Sequence, residues 1–327
     1  MPDLRPELVI RDVAGLRPFR PQGFRVEAER LGDTLLIHNY GHGGCGVTLS
    51  WGTAKLALDI ALAQPHRRAA VIGCGAVGLA TARLFQDHGF EVSIHARELP
   101  PDTTSNIAGA LWAPSYLLDR EHETDAFGAQ LAAASRYAHR YFQLLPDVRY
   151  GIAWTRMFMF GRSAEAGLSW DWAVTPELFA SVAHAPGSHP FGARWLHEYR
   201  LMMIEPSIYL PAVIDAFRLA GGTIHVHEVP DLDALRALAA PVVVNCTGLG
   251  ARALVGDTTM TPIRGQLRVL APQPAIDYGV IGAGLYLFPR RDGLILGGTR
   301  DRDDWSTTPD PDTAARLLAG HRELFGA

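Results

Sequence analysis

Lysine is nearly absent from this chain. Of its 30 Lys and Arg residues only Lys55 is a lysine, and the arginines are scattered, so they form no basic patch. A basic surplus is missing too: 34 acidic residues against 30 basic ones leave a net charge of −4, which argues against a nucleic-acid binder. No apolar run approaches the ~20 residues that a membrane span needs. The opening Met1-Pro2-Asp3-Leu4-Arg5-Pro6 lacks the basic-then-apolar layout of a signal peptide. Cysteine is scarce, and Cys45, Cys74 and Cys246 lie far apart, fit no zinc spacing and leave one over in any disulfide. Reduced thiols in a cytoplasmic protein are expected, with no metal site. Internal repeats and low-complexity tracts are absent as well. What is present is 48% hydrophobic and 20% charged residues, sufficient for a sizeable core. At about 150 residues per domain, the length corresponds to roughly two domains.

The clearest local pattern is Ala69-Ala70-Val71-Ile72-Gly73-Cys74-Gly75-Ala76-Val77-Gly78-Leu79. It reads as a buried strand, a glycine turn, and a helix with Leu79, Ala82 and Phe85 on one face. The helix is expected to end near His88-Gly89, because glycine adopts the left-handed capping conformation without steric cost. Phe90 to His95 then alternates as a strand. Gly73-x-Gly75-x-x-Gly78 lets backbone approach a pyrophosphate, which sits on the following helix N-terminus. Glu98 is placed for a ribose hydroxyl, although Arg97 stands directly before it. By itself the pattern indicates a dinucleotide and leaves FAD and NAD both open.

Other segments fill out the class. Thr34 to His38 reads as a strand, Asn39 to Gly46 as a second glycine loop, and Val47 to Ala63 as a helix. Gln64 to Arg68 is a polar connector into the βαβ unit. If the second glycine loop is a plain turn, His38 and His42 read as polar loop residues beside it. The loop's N–H groups fit either an electron-rich group such as a flavin pyrimidine or a plain tight turn. Tyr209 to Ala220 reads as a helix closed by Gly221-Gly222, followed by strands at Thr223–His227 and Pro241–Gly248. Gly265–Leu270 and Gly293–Gly298 look like antiparallel strands of a second region. The class is therefore α/β with a mixed second domain.

Taken together, these segments resemble the D-amino-acid oxidase and D-aspartate oxidase family of FAD enzymes. Val71 to Leu79 looks like its opening strand and turn. Pro101-Asp102-Thr103-Thr104-Ser105-Asn106 with Ala108-Gly109-Ala110-Leu111-Trp112 looks like its flavin-contacting segment, and Val244-Asn245-Cys246-Thr247-Gly248 like its second FAD-side strand. Tyr286-Leu287-Phe288-Pro289, Leu296-Gly297-Gly298-Thr299-Arg300 and Asp304-Trp305 resemble active-site strands. Gly15-Leu16-Arg17-Pro18-Phe19-Arg20-Pro21 and His38-Asn39-Tyr40-Gly41-His42-Gly43-Gly44 resemble segments that close the chain in the family. Here they come first, so the order implies a circular permutant in which 69–327 precedes 1–68 in family order. The new ends near Met1 and Ala327 would then replace an exposed loop, where permutation is tolerated. An assembly artefact is the alternative. The resemblance implies a Rossmann-like FAD domain, 17–115 plus 205–256. A mixed antiparallel-sheet substrate domain would comprise 116–204, 257–327 and 1–16.

The resemblance also implies roles. Hydride passes from substrate Cα to flavin N5, oxygen accepts the electrons to give hydrogen peroxide, and the imino acid hydrolyses to a 2-oxo acid and ammonia. Arg17 matches the arginine that grips the substrate carboxylate, Tyr286 the tyrosine bordering it, and Gly44 the carbonyl that receives the amine. Gly73, Gly75, Ala76, Val77, Gly78, Arg97, Glu98, Thr103, Thr104, Ser105, Gly109, Leu111 and Gly248 are expected along the FAD. So are Gly41, His42, Gly43, Gly44, Gly46, Val47 and Thr48. Gly282 stands where mammalian D-amino-acid oxidases carry a second active-site tyrosine, and Ala113 where a glutamine often stands, so a wider pocket is expected. Arg300 resembles the D-aspartate oxidase arginine that meets a side-chain carboxylate; pairing with Asp301 or Asp303 is the alternative. Still open are a glycine- or amine-type oxidase, a flavin dehydrogenase, a non-catalytic flavin-binding protein and a nicotinamide enzyme. The expected partner is a small amino-acid substrate, with no nucleic acid or membrane and a homodimer left open.

Overall fold

A computed structural model describes residues 1–109, 111–165, 167–192 and 194–326. Ala110 of the expected flavin-side segment and Ala327 at the expected new end lie outside them. In the first half of the chain run β1 (Val9–Phe19), β2 (Arg25–Leu31), β3 (Thr34–Tyr40), α1 (Gly46–Leu62), β4 (Arg68–Ile72), α2 (Ala76–Asp87), β5 (Glu91–Ala96) and α3 (Asp125–Leu144). The second half adds β6 (Ile152–Gly161), β7 (Ser181–His184), β8 (Trp195–Ile204), β9 (Thr223–Val226), β10 (Val242–Asn245) and β11 (Thr261–Leu270). It closes with β12 (Tyr278–Gly282), β13 (Leu285–Arg290), β14 (Gly293–Gly297) and β15 (Asp301–Arg302), then a helix at Pro311–Phe325.

The strands form two sheets, and the class is mixed α/β as expected. The smaller sheet has the order β2-β3-β10-β4-β5-β9, parallel from β3 to β9, with β2 antiparallel at the edge. β10 is buried throughout and β4 in all but its first residue. Such strands read as unbroken apolar runs because both faces are covered. The edge strand β2 instead carries Arg25, Glu27, Glu29 and Arg30, which keep its open side solvated. The run β9-β5-β4-β10-β3 matches the 3-2-1-4-5 order of a doubly wound dinucleotide fold. Its fifth place is filled by a strand that precedes β4 in the chain.

α2 behaves as its spacing requires. Leu79, Ala82 and Phe85 are each 0% exposed, and the chain turns at Gly89 with φ +80°. α1 packs on α3 so closely that a Cβ on Gly52 would stand 2.0 Å from the Ala134 carbonyl oxygen. Nearby, Trp51 stacks on Tyr141 at 4.0 Å between ring centroids.

The larger sheet runs β1-β11-β14-β13-β12-β6-β8-β7, with β15 beside β11. β1 pairs antiparallel with β11 up to Phe19↔Thr261, so the expected boundary after Leu16 falls inside one strand. The two ends of the described chain lie together: Leu4 and Phe325 share an apolar cluster, and Arg322 Nε donates to the Leu4 carbonyl at 3.1 Å. Among the described residues no helix is long and apolar enough to cross a membrane.

Three local expectations change. Asn39 and Tyr40 are buried residues of β3 rather than loop, because that strand continues along β2 to Arg25↔Tyr40. The helix expected from Tyr209 starts at Pro206, since proline at a first helical position forfeits no hydrogen bond. The space over Gly282 is not open: a Cβ there would stand 2.0 Å from the Phe160 ring, so Phe160 occupies the room a larger residue would need.

Candidate active site

The turn between β4 and α2 is built by backbone proximity. Gly73 has φ +108°, and a Cβ on it would stand 2.5 Å from the Cys246 carbonyl oxygen. Its N–H donates to the His95 carbonyl at 2.8 Å. A Cβ on Gly78 would lie 2.1 Å from the Gly73 carbonyl, so neither position accommodates a side chain. Gly75 caps α2 without a side-chain bond, and the Ala76 N–H donates to Ser105 Oγ at 3.0 Å. Val77 and Gly78 follow in the first turn, where N–H groups have no helical acceptor. An anionic diphosphate fits this turn: bare backbone, free donors, a hydroxyl and the positive helix end converge on it.

Around this turn the other expected cofactor residues are distributed as follows. Thr103 Oγ1 donates to Asn106 Oδ1 at 2.8 Å, and Thr104 and Ser105 open a short turn of helix. Arg97 and Glu98 are exposed beyond β5 and pair with each other at 3.2 Å, so Glu98 already has a partner. Gly248 turns the chain after β10 at φ +57° and packs on Pro18.

The second glycine loop abuts the first, with Val77 Cγ2 3.9 Å from where a Gly46 Cβ would sit. Gly41 (φ +85°) packs against Arg20, and Gly43 (φ +54°) against the Tyr116 carbonyl. Gly44 is exposed among buried neighbours, and Val47 and Thr48 form the first turn of α1. Thr48 Oγ1 donates to the Leu111 carbonyl at 3.4 Å. His38 and His42 are not polar loop residues. His38 sits on β3, fully buried, with Nε2 3.2 Å from Glu29 Oε1. His42 Nε2 lies 2.9 Å from Thr53 Oγ1, and its ring stacks against Phe24. Burial pushes the His42 pKa down to about 3, so the ring is neutral and committed to the interior.

Four chain-distant residues named from sequence come together, Arg17, Tyr286 and Arg300 at the larger sheet and Gly44 from the second glycine loop. Arg17, half-buried on β1, lies flat over Gly265 of β11, where a Cβ would be 2.4 Å from Nη1. Its Nη1 donates to the Thr299 carbonyl at 3.3 Å, and its Cδ is 3.8 Å from the Cβ position of Gly44. Tyr286 faces Gly297 in register, so closely that a Cβ there would meet the phenol oxygen at 2.4 Å. Its ring stacks on Phe288 and passes 3.4 Å from the Cβ position of Gly109. Arg300 follows β14, is exposed, and lays its guanidinium carbon 3.4 Å from the Tyr116 ring centroid. Desolvation, together with the Arg17 charge, holds the Arg300 pKa below its ordinary value.

The carboxylates weighed as alternative partners for Arg300 are engaged elsewhere. Asp301 pairs with Arg264 at 3.4 Å, and Asp303 accepts from Thr261 Oγ1. Among the described residues neither Arg17 nor Arg300 has a carboxylate partner. Two cations with free N–H edges beside a tyrosine and an exposed glycine can hold a small dianion. Ala113 is buried and donates to the Leu111 carbonyl at 3.0 Å. No periodicity or motif in the sequence marks Tyr116, and Thr299 stands there only as a member of the Leu296–Arg300 segment, with no role of its own.

The sequence profile of a family described as FAD dependent oxidoreductase matches residues 68–327. A D-amino-acid oxidase of Rubrobacter xylanophilus is 35% identical over 256 residues, 77% of this chain and 75% of that protein. A D-amino-acid oxidase of Streptomyces coelicolor is 36% identical, over 79% of this chain and 78% of that protein. Among solved structures, glycine oxidase from Geobacillus kaustophilus superposes with a TM-score of 0.58 at 16% identity, covering 78% of each chain. That likeness concerns the fold.

The buried, neutral His42 sets an acid limit. Its folded pKa of about 3 lies below the ordinary 6.5, so between those values the unfolded chain binds the extra proton and stability falls as pH falls. Urea unfolding at pH 7, 6 and 5 is expected to show His42→Asn losing stability less steeply than the parent, by up to ~1.4 kcal/mol per pH unit. Identical slopes would remove His42 from the acid sensitivity.

Proposed function

Since the chain belongs to the DAO family of FAD-dependent oxidoreductases, we propose that it oxidatively deaminates D-amino acids, acidic ones such as D-aspartate above all, to 2-oxo acids, ammonia and hydrogen peroxide. FAD is its cofactor, and when bound it supplies the acceptor for the hydride leaving the substrate Cα. The observation that carries the acidic preference is the pair Arg17 and Arg300, adjacent and without a carboxylate partner among the described residues.

In this reading each residue has a definite task. Arg17 takes the α-carboxylate, because a planar guanidinium pairs with a carboxylate through two parallel hydrogen bonds. The Thr299 carbonyl and the flat seat over Gly265 fix the direction of that fork. The Gly44 carbonyl accepts from the substrate amine, and the Tyr286 hydroxyl borders the same carboxylate. Arg300 receives the second carboxylate of an acidic substrate. Gly73 to Gly78, with Ser105, hold the diphosphate of the cofactor, while Gly41 to Thr48 lie along its ring end. The protein thereby orients the Cα–H and excludes other geometries, while the redox chemistry belongs to the cofactor.

We also propose that residues 1–68 are the family's closing segment, carried at the front of this chain. In support, β3 fills the fifth place of the smaller sheet, the family match starts at residue 68, and Leu4 meets Arg322. The proposed division into an FAD domain and a substrate domain follows the same order, except that β1 runs across its first boundary.

Four outcomes are expected. Anaerobic mixing with D-aspartate bleaches the visible flavin absorption, and Arg17→Met keeps its flavin while losing about 100-fold in kcat/KM. Near-normal kinetics in that variant would refute the carboxylate role. Arg300→Ala loses D-aspartate and D-glutamate turnover selectively; equal losses on D-alanine would end the acidic reading. A re-ordered chain that opens at Ala69, closes at Arg68 and joins the present ends by a short linker unfolds cooperatively with the same flavin content. A re-ordered chain without flavin and without a cooperative transition would count against the permutation.

A further inference from the structure

Arg300 is held by a single aromatic face, and that face belongs to a residue with an unusual backbone. Tyr116 has φ +56°, a left-handed conformation that a side-chain-bearing residue rarely adopts because its Cβ crowds the following carbonyl oxygen. Such conformations persist where the surroundings over-determine them. Here they do. Cys45 Sγ lies 3.0 Å from both the Ser115 N–H and the Ser115 carbonyl oxygen, so the residue before Tyr116 is fastened to the second glycine loop. The Tyr116 carbonyl rests on Gly43, where a Cβ would stand only 2.5 Å from its oxygen. The ring is 46% exposed and covers one face of the Arg300 guanidinium at 3.4 Å.

A guanidinium stacked by its face keeps its N–H edge free, because its donors lie in the plane of the group. A carboxylate at Arg300 would occupy that edge; an aromatic ring does not. The ring also offsets some of the cost of bringing Arg300 close to Arg17, since a cation over an aromatic face is stabilised by the ring quadrupole. We infer that Tyr116 is the positioning residue for substrate charge: it holds Arg300 beside Arg17 with its donor edge open, and so sets the preference for dicarboxylic over monocarboxylic substrates. This rests on the acidic reading of Arg300 given above. It adds that the preference depends on a residue in the loop fastened to the cofactor-side glycines.

The test compares parent, Tyr116→Phe, Tyr116→Leu, Arg300→Ala and the Tyr116→Leu/Arg300→Ala double variant, all with FAD. The ratio of kcat/KM on D-aspartate to that on D-alanine is expected to fall about tenfold in Tyr116→Leu, mostly through KM, and to be retained in Tyr116→Phe, which keeps the ring. The double variant should be no worse in that ratio than Arg300→Ala alone, because Tyr116 acts through Arg300. Calorimetric titration with malonate reads the same site without turnover, and its affinity should fall in Tyr116→Leu and recover in Tyr116→Phe. An unchanged ratio and unchanged malonate affinity in Tyr116→Leu, beside a selective loss in Arg300→Ala, would overturn the role of Tyr116 alone. If Arg300→Ala itself shows no selectivity and malonate binds all variants alike, the acidic reading fails and this inference with it. A loss in Tyr116→Phe as large as in Tyr116→Leu would assign the effect to the hydroxyl and also reject the proposal.

Discussion

Two like charges, Arg17 and Arg300, stand near each other with no carboxylate partner among the described residues. Arg17 and Arg300 repel, and the fold answers with neutral groups. The Thr299 carbonyl receives Arg17, and the Tyr116 ring supports Arg300. Carboxylates elsewhere on these strands and loops have pairs of their own: Asp301 with Arg264, Asp119 with Arg302, Asp12 with Arg268. A carboxylate partner would have been the stronger neutraliser, since hydrogen bonds to charged groups contribute roughly 1.5–3 kcal/mol. It would also have occupied the donor edge that the neutral groups leave open.

The cofactor side depends on a different constraint, the close approach of backbone to backbone. Gly73 sits against the Cys246 carbonyl and Gly78 against Gly73 itself, so the turn between β4 and α2 is locked to the end of β10. The second loop touches that turn at Gly46 and meets Arg17 at Gly44. One short segment thus joins the glycine turn of the smaller sheet to an arginine of the larger one. It can do so because β3 lies beside β10 in the smaller sheet while β1, two strands earlier in the chain, belongs to the larger one.

Legibility in the sequence followed the range of the interactions. β4, α2 and β10 could be read directly, since unbroken apolar runs, helical spacing and a capping glycine are local signals. The glycine turn was legible for the same reason, as was the family likeness that pointed to Arg17, Tyr286 and Arg300. Asn39 and Tyr40 looked like loop because glycines follow them, yet pairing with β2 extends the strand through both. The filling of Gly282 by Phe160 and the stacking of Tyr116 on Arg300 join residues more than a hundred positions apart. Only the folded arrangement specifies such contacts. The fate of Asp301 was hidden likewise, because its partner Arg264 is buried on a neighbouring strand.

Arg17 and Tyr286 each lie flat across a glycine on the adjoining strand, Gly265 and Gly297. Both glycines occupy sheet positions where propensity alone would favour a β-branched residue. Their absent side chains are therefore what lets the guanidinium and the phenol ring lie down on the sheet. Variation at these two places is one-directional: any replacement raises a functional group off its seat, and none can lower it further. A survey of tolerated substitutions would thus find glycine alone at both places, and the two together would mark where the guanidinium and the phenol ring rest, without any ligand in view.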